Sequence, residues 1–495
     1  MNNIFKKAGT FFCSLLLLSS CSESYLDTMP TDSYSEDFIF ENSENAMIAL
    51  NGIHRSMYKQ YDSQDQAGYS SLMLGMEVMG EDFVMTSSGN GWWNTQSQWI
   101  NHLDPQRAWN TYVYSFLYAT IRNANAIINR IDPLSGEEKF KNQIKGEALT
   151  YRALAHLWLV QLYAKPYASD TYDRLAIPLM LEVTDEPQPM ATTKAVYDQI
   201  KSDFMQAEEL LIKGEPGKYN KSHFSVQAVQ GWLARYYLTI KDWQNASVYA
   251  QKAITTAKAA GAKFMSQEDY KKGFNSATNP EWLWASIMIP DQTVYFYSFF
   301  AFASYNFSSS NIRSNPKAIN DKLYAKIPAT DVRKWCWVPD PANLVLPSSS
   351  FKKYPYMNRK FAVADLSSSV GDIPYMRLAE LYLIDAEAKA RMNDNSAADV
   401  LFELVKTRDA SATKSTATGQ ALIDEVMTQR RIELWGEGFR FLDLKRLGLP
   451  LDRNNSNNQA ALVVTMEVPA SSNKWLWQFP QDEINANPNV VQNPI

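Results

Sequence analysis

Three groups of residues in the 495-residue sequence have types and spacings that could carry chemistry. The densest is the run from Arg430 to Arg446, in which Glu433, Glu437 and Asp443 interleave with Arg430, Arg431, Arg440 and Arg446. A glycosidase needs two carboxylates flanking a sugar bond, and this run supplies acids. Each of them has arginines about one helical turn away, which would hold it ionised and paired. The run therefore reads as a structural ion-pair network on a helix broken near Gly436 and Gly438. Glu81-Asp82 is a second acidic pair, but adjacent side chains point in different directions and do not form a natural catalytic dyad; a capping or solvated role fits it equally. The four histidines, His54, His102, His156 and His223, are far apart in sequence, and His156 falls in an apolar stretch and reads as core. Cys336 sits between Trp335 and Trp337, an apolar setting that raises a thiol's pKa and leaves it inert. The His-Glu-x-x-His, Gly-x-Ser-x-Gly and Gly-x-x-x-x-Gly-Lys patterns are absent, as is an Asp-rich loop with calcium spacing. No catalytic residue, metal ligand or cofactor is expected.

The third group is aromatic. The sequence holds 14 Trp, 26 Tyr and 23 Phe. Trp92 and Trp93 follow Gly89-Asn90-Gly91 and precede Asn94, with Trp99 nearby. The C–H face of a pyranose stacks on an indole, and its hydroxyls need amide partners such as Asn94 and Gln96. The alternative is that one or both tryptophans fold back to anchor the loop. In Tyr295-Phe296-Tyr297, extended backbone would put Tyr295 and Tyr297 on one face; Tyr305 and Phe307 repeat that spacing, and core packing claims a share of these four. Trp282 and Trp284 lie in a strand-like run and read as core. The binding expectation therefore rests on Trp92, Trp93, Asn94, Tyr295 and Tyr297.

The amino-terminal residues set the compartment. Lys6 and Lys7 precede an apolar run, Phe11 to Leu18, and small residues follow it, the pattern of a secretory signal. The run is too short to span a bilayer, which takes roughly 20 apolar residues. Cys21 directly after Leu18-Ser19-Ser20 resembles the bacterial lipoprotein signal, in which the cysteine is lipidated and begins the mature chain. Residues 1–20 are thus expected to be removed and Cys21 to be the lipid anchor. Loss of Lys6 and Lys7 moves the net charge from −5 to −7, which argues against a nucleic-acid partner. Cys13 leaves with the signal, so Cys336 has no thiol to pair with inside the chain.

Helical periodicity dominates the remainder. Residues 22–40 read as an extended leader. Helices are expected over 43–61, with Ala46, Leu50, Ile53 and Met57 on one face, and over 107–131, 141–163 and 192–211, the last begun by Thr192 or Thr193. Between Phe224 and Lys258, Ala234, Ala246 and Ala253 recur with Tyr237 and Trp243 between them. This resembles the tetratricopeptide helix pair, where small residues let antiparallel helices approach. Ala386 and Ala398 suggest a second pair within 376–408, and the 141–163 and 192–211 helices a third. One pair cannot bury its own face, so several must stack. Residues 262–373 are rich in Ser, Asn, Pro and aromatics and read as a loop-rich ligand-side region. The expected architecture is mostly α: a single domain over 21–495, with a helix-pair scaffold mainly in 41–260 and 374–450.

In order along the chain these features resemble the RagB/SusD family of outer-membrane nutrient-binding lipoproteins. The resemblance rests on the cysteine signal and the leader Tyr25-Leu26-Asp27; on Trp109, Tyr112 and Asn123-Ala124-Asn125; and on Gly146-Glu147-Ala148-Leu149-Thr150-Tyr151-Arg152-Ala153. It continues with Arg377-Leu378-Ala379-Glu380-Leu381-Tyr382-Leu383, Ala386-Glu387-Ala388, the Arg430–Arg446 block and the closing Phe479-Pro480-Gln481-Asp482. The resemblance implies a non-enzymatic, cell-surface protein anchored in the outer membrane. It implies capture of a glycan for a SusC-like TonB-dependent transporter, with binding aromatics drawn from the Trp92 and Tyr295 regions. A peptide or other nutrient bound by the same scaffold, or a lipid-anchored glycoside hydrolase, are the alternatives.

Overall fold

A computed structural model describes residues 39–292 and 299–495. The signal, Cys21 and most of the leader lie outside the described residues. The first helix, α1 (Ser43–Ser56), starts where the Asn42 side chain accepts the Asn45 N–H at 2.8 Å. It buries Ala46, Leu50 and Ile53, the expected stripe, and stops five residues before the expected end at Tyr61. There follow α2 (Tyr69–Val78), β1 (Phe83–Met85), α3 (Ala108–Arg130) and α4 (Glu138–Tyr163). A hairpin of β2 (Leu175–Pro178) and β3 (Met190–Thr192) fills the insertion before α5 (Thr193–Lys213). Thr192 caps α5 by accepting the Ala195 N–H at 3.2 Å. As expected, α4 and α5 pack as a pair despite that insertion.

The helices α6 (Val226–Thr239) and α7 (Trp243–Ala259) form the sharpest pair. Ala234, Ala246 and Ala253 are fully buried between them and their neighbours. This is the work small residues do: without bulk, backbones approach closely. In the loop-rich half come β4 (Trp282–Ser286), the short helix α8 (Phe299–Ala303), β5 (Lys317–Ile319), β6 (Trp337–Val338), β7 (Met357–Asn358) and β8 (Ile373–Arg377). The chain then returns to helices: α9 (Leu378–Arg391), α10 (Ala397–Arg408), α11 (Gly419–Glu433) and α12 (Arg440–Leu447). The expected 376–408 pair is thus α9 and α10. Its α9 also packs on α7, where Ser247 donates to Asp385 at 2.5 Å. The protein is mostly α, with short antiparallel strands. Trp282 and Trp284 on β4 are core residues at 1% exposure, and β4 pairs with β8.

The two halves meet around buried charge. Arg377, at the end of β8, donates to Glu281 at 2.6 Å, Glu433 at 2.9 Å and Glu437 at 2.7 Å. Arg408, the last residue of α10, bridges Glu281 at 2.8 Å and Glu433 at 3.0 Å. Arg333 joins Asp331 to Glu433, and Lys360 reaches Glu437 at 2.7 Å and the Trp435 carbonyl at 2.8 Å. The four cations Arg333, Arg377, Arg408 and Lys360 face the four carboxylates Glu281, Asp331, Glu433 and Glu437, and all eight are buried. Of the three acids in the 430–446 run, Asp443 is paired locally as expected, by Arg430 and Arg446 at 2.7 and 2.8 Å, whereas Glu433 and Glu437 take distant cations instead. The break between α11 and α12 falls at Gly436 and Gly438, with φ of 81° and 93°. Glu77 pins that turn by accepting the N–H groups of Gly436, Gly438 and Phe439 at 2.8–3.1 Å.

Burial works to raise the Glu433 carboxyl, but the Arg408, Arg377 and Arg333 guanidiniums outweigh it and hold it well below the usual carboxylate range. Its folded pKa is therefore depressed. The stability it contributes is complete above the unfolded value of about 4.3 and is lost as pH falls below that. Glu433→Gln, which leaves buried guanidiniums under-paired, is expected to cost about 3–5 kcal/mol in denaturant titrations at pH 7. Melting temperatures of the wild type should fall from pH 4.5 toward pH 2 more steeply than those of the variant. Parallel acid profiles would show that Glu433 is not the group whose protonation matters.

Candidate functional site

The four-stranded sheet, ordered β1-β5-β7-β6, places the two stretches singled out by their aromatics side by side. Strands β1 and β5 are antiparallel, with Met85, the last residue of β1, opposite Lys317, the first of β5. The chain leaving β1 (86–99) and the chain entering β5 (299–316) therefore emerge at one end of the sheet. Side-chain bonds stitch them together at the base. Thr86 Oγ1 donates to the Pro316 carbonyl at 2.6 Å, and Ser87 Oγ to the Ser314 carbonyl at 2.8 Å. Nearer the tip, Asn311 Nδ2 donates to Asn90 Oδ1 at 2.8 Å. Lys317 is buried beneath, with its Nζ on the Asn315 carbonyl at 2.6 Å and 4.1 Å from the Phe302 ring centre. Burial pushes its ammonium pKa well below the ordinary lysine value.

The tryptophan pair is divided between two environments. Trp92 is half-buried at the lip of the loop, packed partly against the core. Trp93 is 3% exposed. It adopts a left-handed φ of 64° ahead of the helical turn Asn94–Ser97, which turns its indole inward. The ring meets Trp109 edge-on at 5.9 Å and Phe302 at 5.5 Å. Gly75 on α2 makes room: a Cβ there would lie 2.5 Å from the Trp109 ring and 3.7 Å from that of Trp93. The ligand-facing expectation for Trp93 is thus corrected, because it has no open face on which a sugar could stack. Asn94 is half-buried and closes the loop through its Nδ2 on the Ser88 carbonyl at 3.0 Å. Gln96 is buried and donates to Asp65 at 2.6 Å, so its amide is committed to the loop's own structure. Tyr295 and Tyr297 lie outside the described residues. Phe307 is core, while Tyr305 is half-buried. Residue-type reasoning passed over the contact between the exposed Asn90 and the buried Asn311, with the half-buried Arg313 two positions further on; the polar run 308–311 was the available signal.

A SusD family model matches residues 324–495, and a second model, described as starch-binding and associating with the outer membrane, matches residues 24–238. The chain belongs to the SusD/RagB family. A SusD-like protein of Formosa agariphila is 21% identical over 97% of this chain and 96% of its own length. A SusD-like carbohydrate-binding protein of Bacteroides vulgatus superposes with a TM-score of 0.78 at 26% identity, covering 91% of this chain and 97% of that one. A SusD superfamily protein of Bacteroides thetaiotaomicron gives 0.78 at 23% identity, over 92% of this chain and 100% of that one.

In this SusD-family chain the carboxylates weighed for enzymatic chemistry, together with Cys336 and His156, are committed to structure. Glu433 and Glu437 lie in the buried cluster. Glu81 pairs with Arg440 at 2.5 Å and Asp82 with Arg431 at 2.6 Å, so the Glu81-Asp82 pair is an ion-paired anchor between β1 and the α11–α12 region. Burial pushes the Cys336 thiol up to about 12. Burial likewise drives the imidazole of His156, on α4, down to about 3, which fits its reading as core.

The divided tryptophans generate a stability contrast. Trp93→Ala opens a cavity against Trp109 and Phe302 and is expected to cost about 3–5 kcal/mol. Trp92→Ala, at the lip, should cost less than about 1.5 kcal/mol. Denaturant titration of both variants checks this; equal losses would place both indoles in the core.

Proposed function

We propose that this protein is a cell-surface lipoprotein that captures an oligosaccharide or polysaccharide and delivers it to a SusC-like TonB-dependent transporter, without itself being an enzyme. The observation that carries the reading is the joint rim. The Trp92 loop and the 299–316 segment, more than 200 residues apart in sequence, are stitched together by side-chain bonds, and the half-buried Trp92 stands on the same loop as the exposed Asn90, which meets Asn311. That combination suits a pyranose, whose C–H face takes an aromatic and whose hydroxyls take polar partners. The family's description as starch-binding and the carbohydrate-binding Bacteroides vulgatus relative support a glycan as ligand. In this proposal Trp92 stacks, while Asn94, Asn90 and Arg313 line the rim. Tyr295 and Tyr297, the other aromatics expected to bind, lie outside the described residues. Cys21 carries the lipid that holds the protein at the outer membrane. Among the described residues no helix is long and apolar enough to cross a membrane, so a lipid is the anchor the proposal requires.

Two experiments test it. Stacking aromatics act as hot spots whose truncation costs about 2 kcal/mol, roughly thirtyfold in affinity. Calorimetry against a panel of soluble polysaccharides should find a ligand whose affinity drops by that order in Trp92→Ala. If no polysaccharide binds while members of a peptide library do, the ligand class is wrong. Separately, Cys21→Ala should move the protein from the membrane to the soluble fraction in cells lacking a transporter partner. Retention in the outer membrane would defeat the lipid-anchor assignment.

A further inference from the structure

His54 and His223 are 169 positions apart, yet their ring nitrogens converge on one carboxylate. His54 Nε2 lies 3.3 Å from Glu147 Oε2, His223 Nδ1 lies 3.0 Å from Glu147 Oε1, and the two nitrogens are 3.2 Å from each other. The three residues come from three elements: His54 from α1, Glu147 from α4 and His223 from the connection between α5 and α6. Zinc takes histidine nitrogens and carboxylate oxygens at about 2.0–2.1 Å in tetrahedral geometry, which sets its ligand atoms about 3.3 Å apart. The nitrogen–nitrogen separation and one distance from each ring to the carboxylate fall near that spacing, the two rings meeting different oxygens of Glu147. With both facing nitrogens deprotonated, the two rings and the carboxylate present lone pairs toward one point, which a single cation can take together.

We propose that His54, Glu147 and His223 form a binding site for a zinc-class divalent cation. The surroundings have the character of an orienting shell. His54 Nδ1 lies 2.5 Å from the Tyr151 hydroxyl, which fixes the ring so that Nε2 faces the site. Glu147 is further held by the Gln143 amide at 2.7 Å and the Phe224 N–H at 3.0 Å. Glu147 is completely buried. Access comes from one side. His223 is 12% exposed and, with Gln143, Tyr219 and Phe224, lines a groove of about 720 Å³. No residue of that groove comes from the 86–99 or 299–316 stretches. The groove is the ion's path in and leaves its fourth position to water. A bound ion would clip α1, α4 and the α5–α6 connection together.

The test uses full-length protein in detergent, stripped with a chelator and titrated with ZnCl2. One equivalent should bind by calorimetry and raise the melting temperature, and Co2+ in its place should give the visible absorption of a low-coordinate site. His223→Ala, a half-buried loop change, should melt near the wild-type metal-free temperature yet bind zinc about 100-fold more weakly and lose the zinc-induced rise. Tyr151→Phe should weaken binding about tenfold, as loss of an orienting partner does. If the stripped wild type takes up less than one equivalent, or if His54→Ala and His223→Ala bind zinc as tightly as the wild type, the three residues are a hydrogen-bonded pin and the metal site is excluded.

Discussion

The guanidinium of Arg377 holds carboxylates contributed by two separate parts of the chain, and the meeting of the two halves depends on it. Glu281 enters from the loop-rich half, just before β4, while Glu433 and Glu437 flank the end of α11. A buried charge without its partners costs several kcal/mol. The loop-rich half therefore cannot settle on the helical scaffold in any register but the one that closes every pair. Charge equality within the cluster matters as much as geometry. Four cations against four carboxylates let the eight groups be taken from water without a residual field, and each additional bond in the low-dielectric interior strengthens its neighbours. Arg408 contributes the last residue of α10, so the second helix pair is fastened at the same point.

From that fixed centre the candidate site is positioned by a short chain of supports. Glu81 and Asp82, immediately before β1, are tied to Arg440 and Arg431. Glu77, at the end of α2, holds the turn between α11 and α12. Strand β1 is thereby anchored to the charged C-terminal block, and β5 takes its register from β1. The rim thus rests on rigid elements, although the rim itself is loop. This is the arrangement that lets irregular backbone hold a defined binding geometry.

What the sequence revealed, and what it hid, follows from the range of the interactions. The apolar stripe of α1 and the alanines of the α6–α7 pair are local patterns with a period of 3.6, and they were legible. So was the broken helix around Gly436 and Gly438. The partners of Glu433 were not. Arg377 and Arg333 are 56 and 100 positions away, and nothing in the local run distinguishes them from Arg430 or Arg431. Trp92 and Trp93 share one local sequence. Their opposite fates are decided by a left-handed backbone at Trp93 and by the space that Gly75 leaves on another helix. His54 and His223 likewise carry no mark of their meeting until the helix stack brings them together.

The bonds from Thr86 and Ser87 to the 314–316 backbone lie below the tips of the two stretches they join. Residues 88–91 and Ser310 are exposed above them and contribute nothing to the buried charge that fixes the fold. Substitutions among these exposed residues should therefore be nearly neutral for folding while changing what the rim meets. Under the proposed function, a duplicated copy of this gene could drift to a new nutrient through a handful of codon changes there, its scaffold unaltered. In such a lineage the diet would be written in the tips and ancestry in the base.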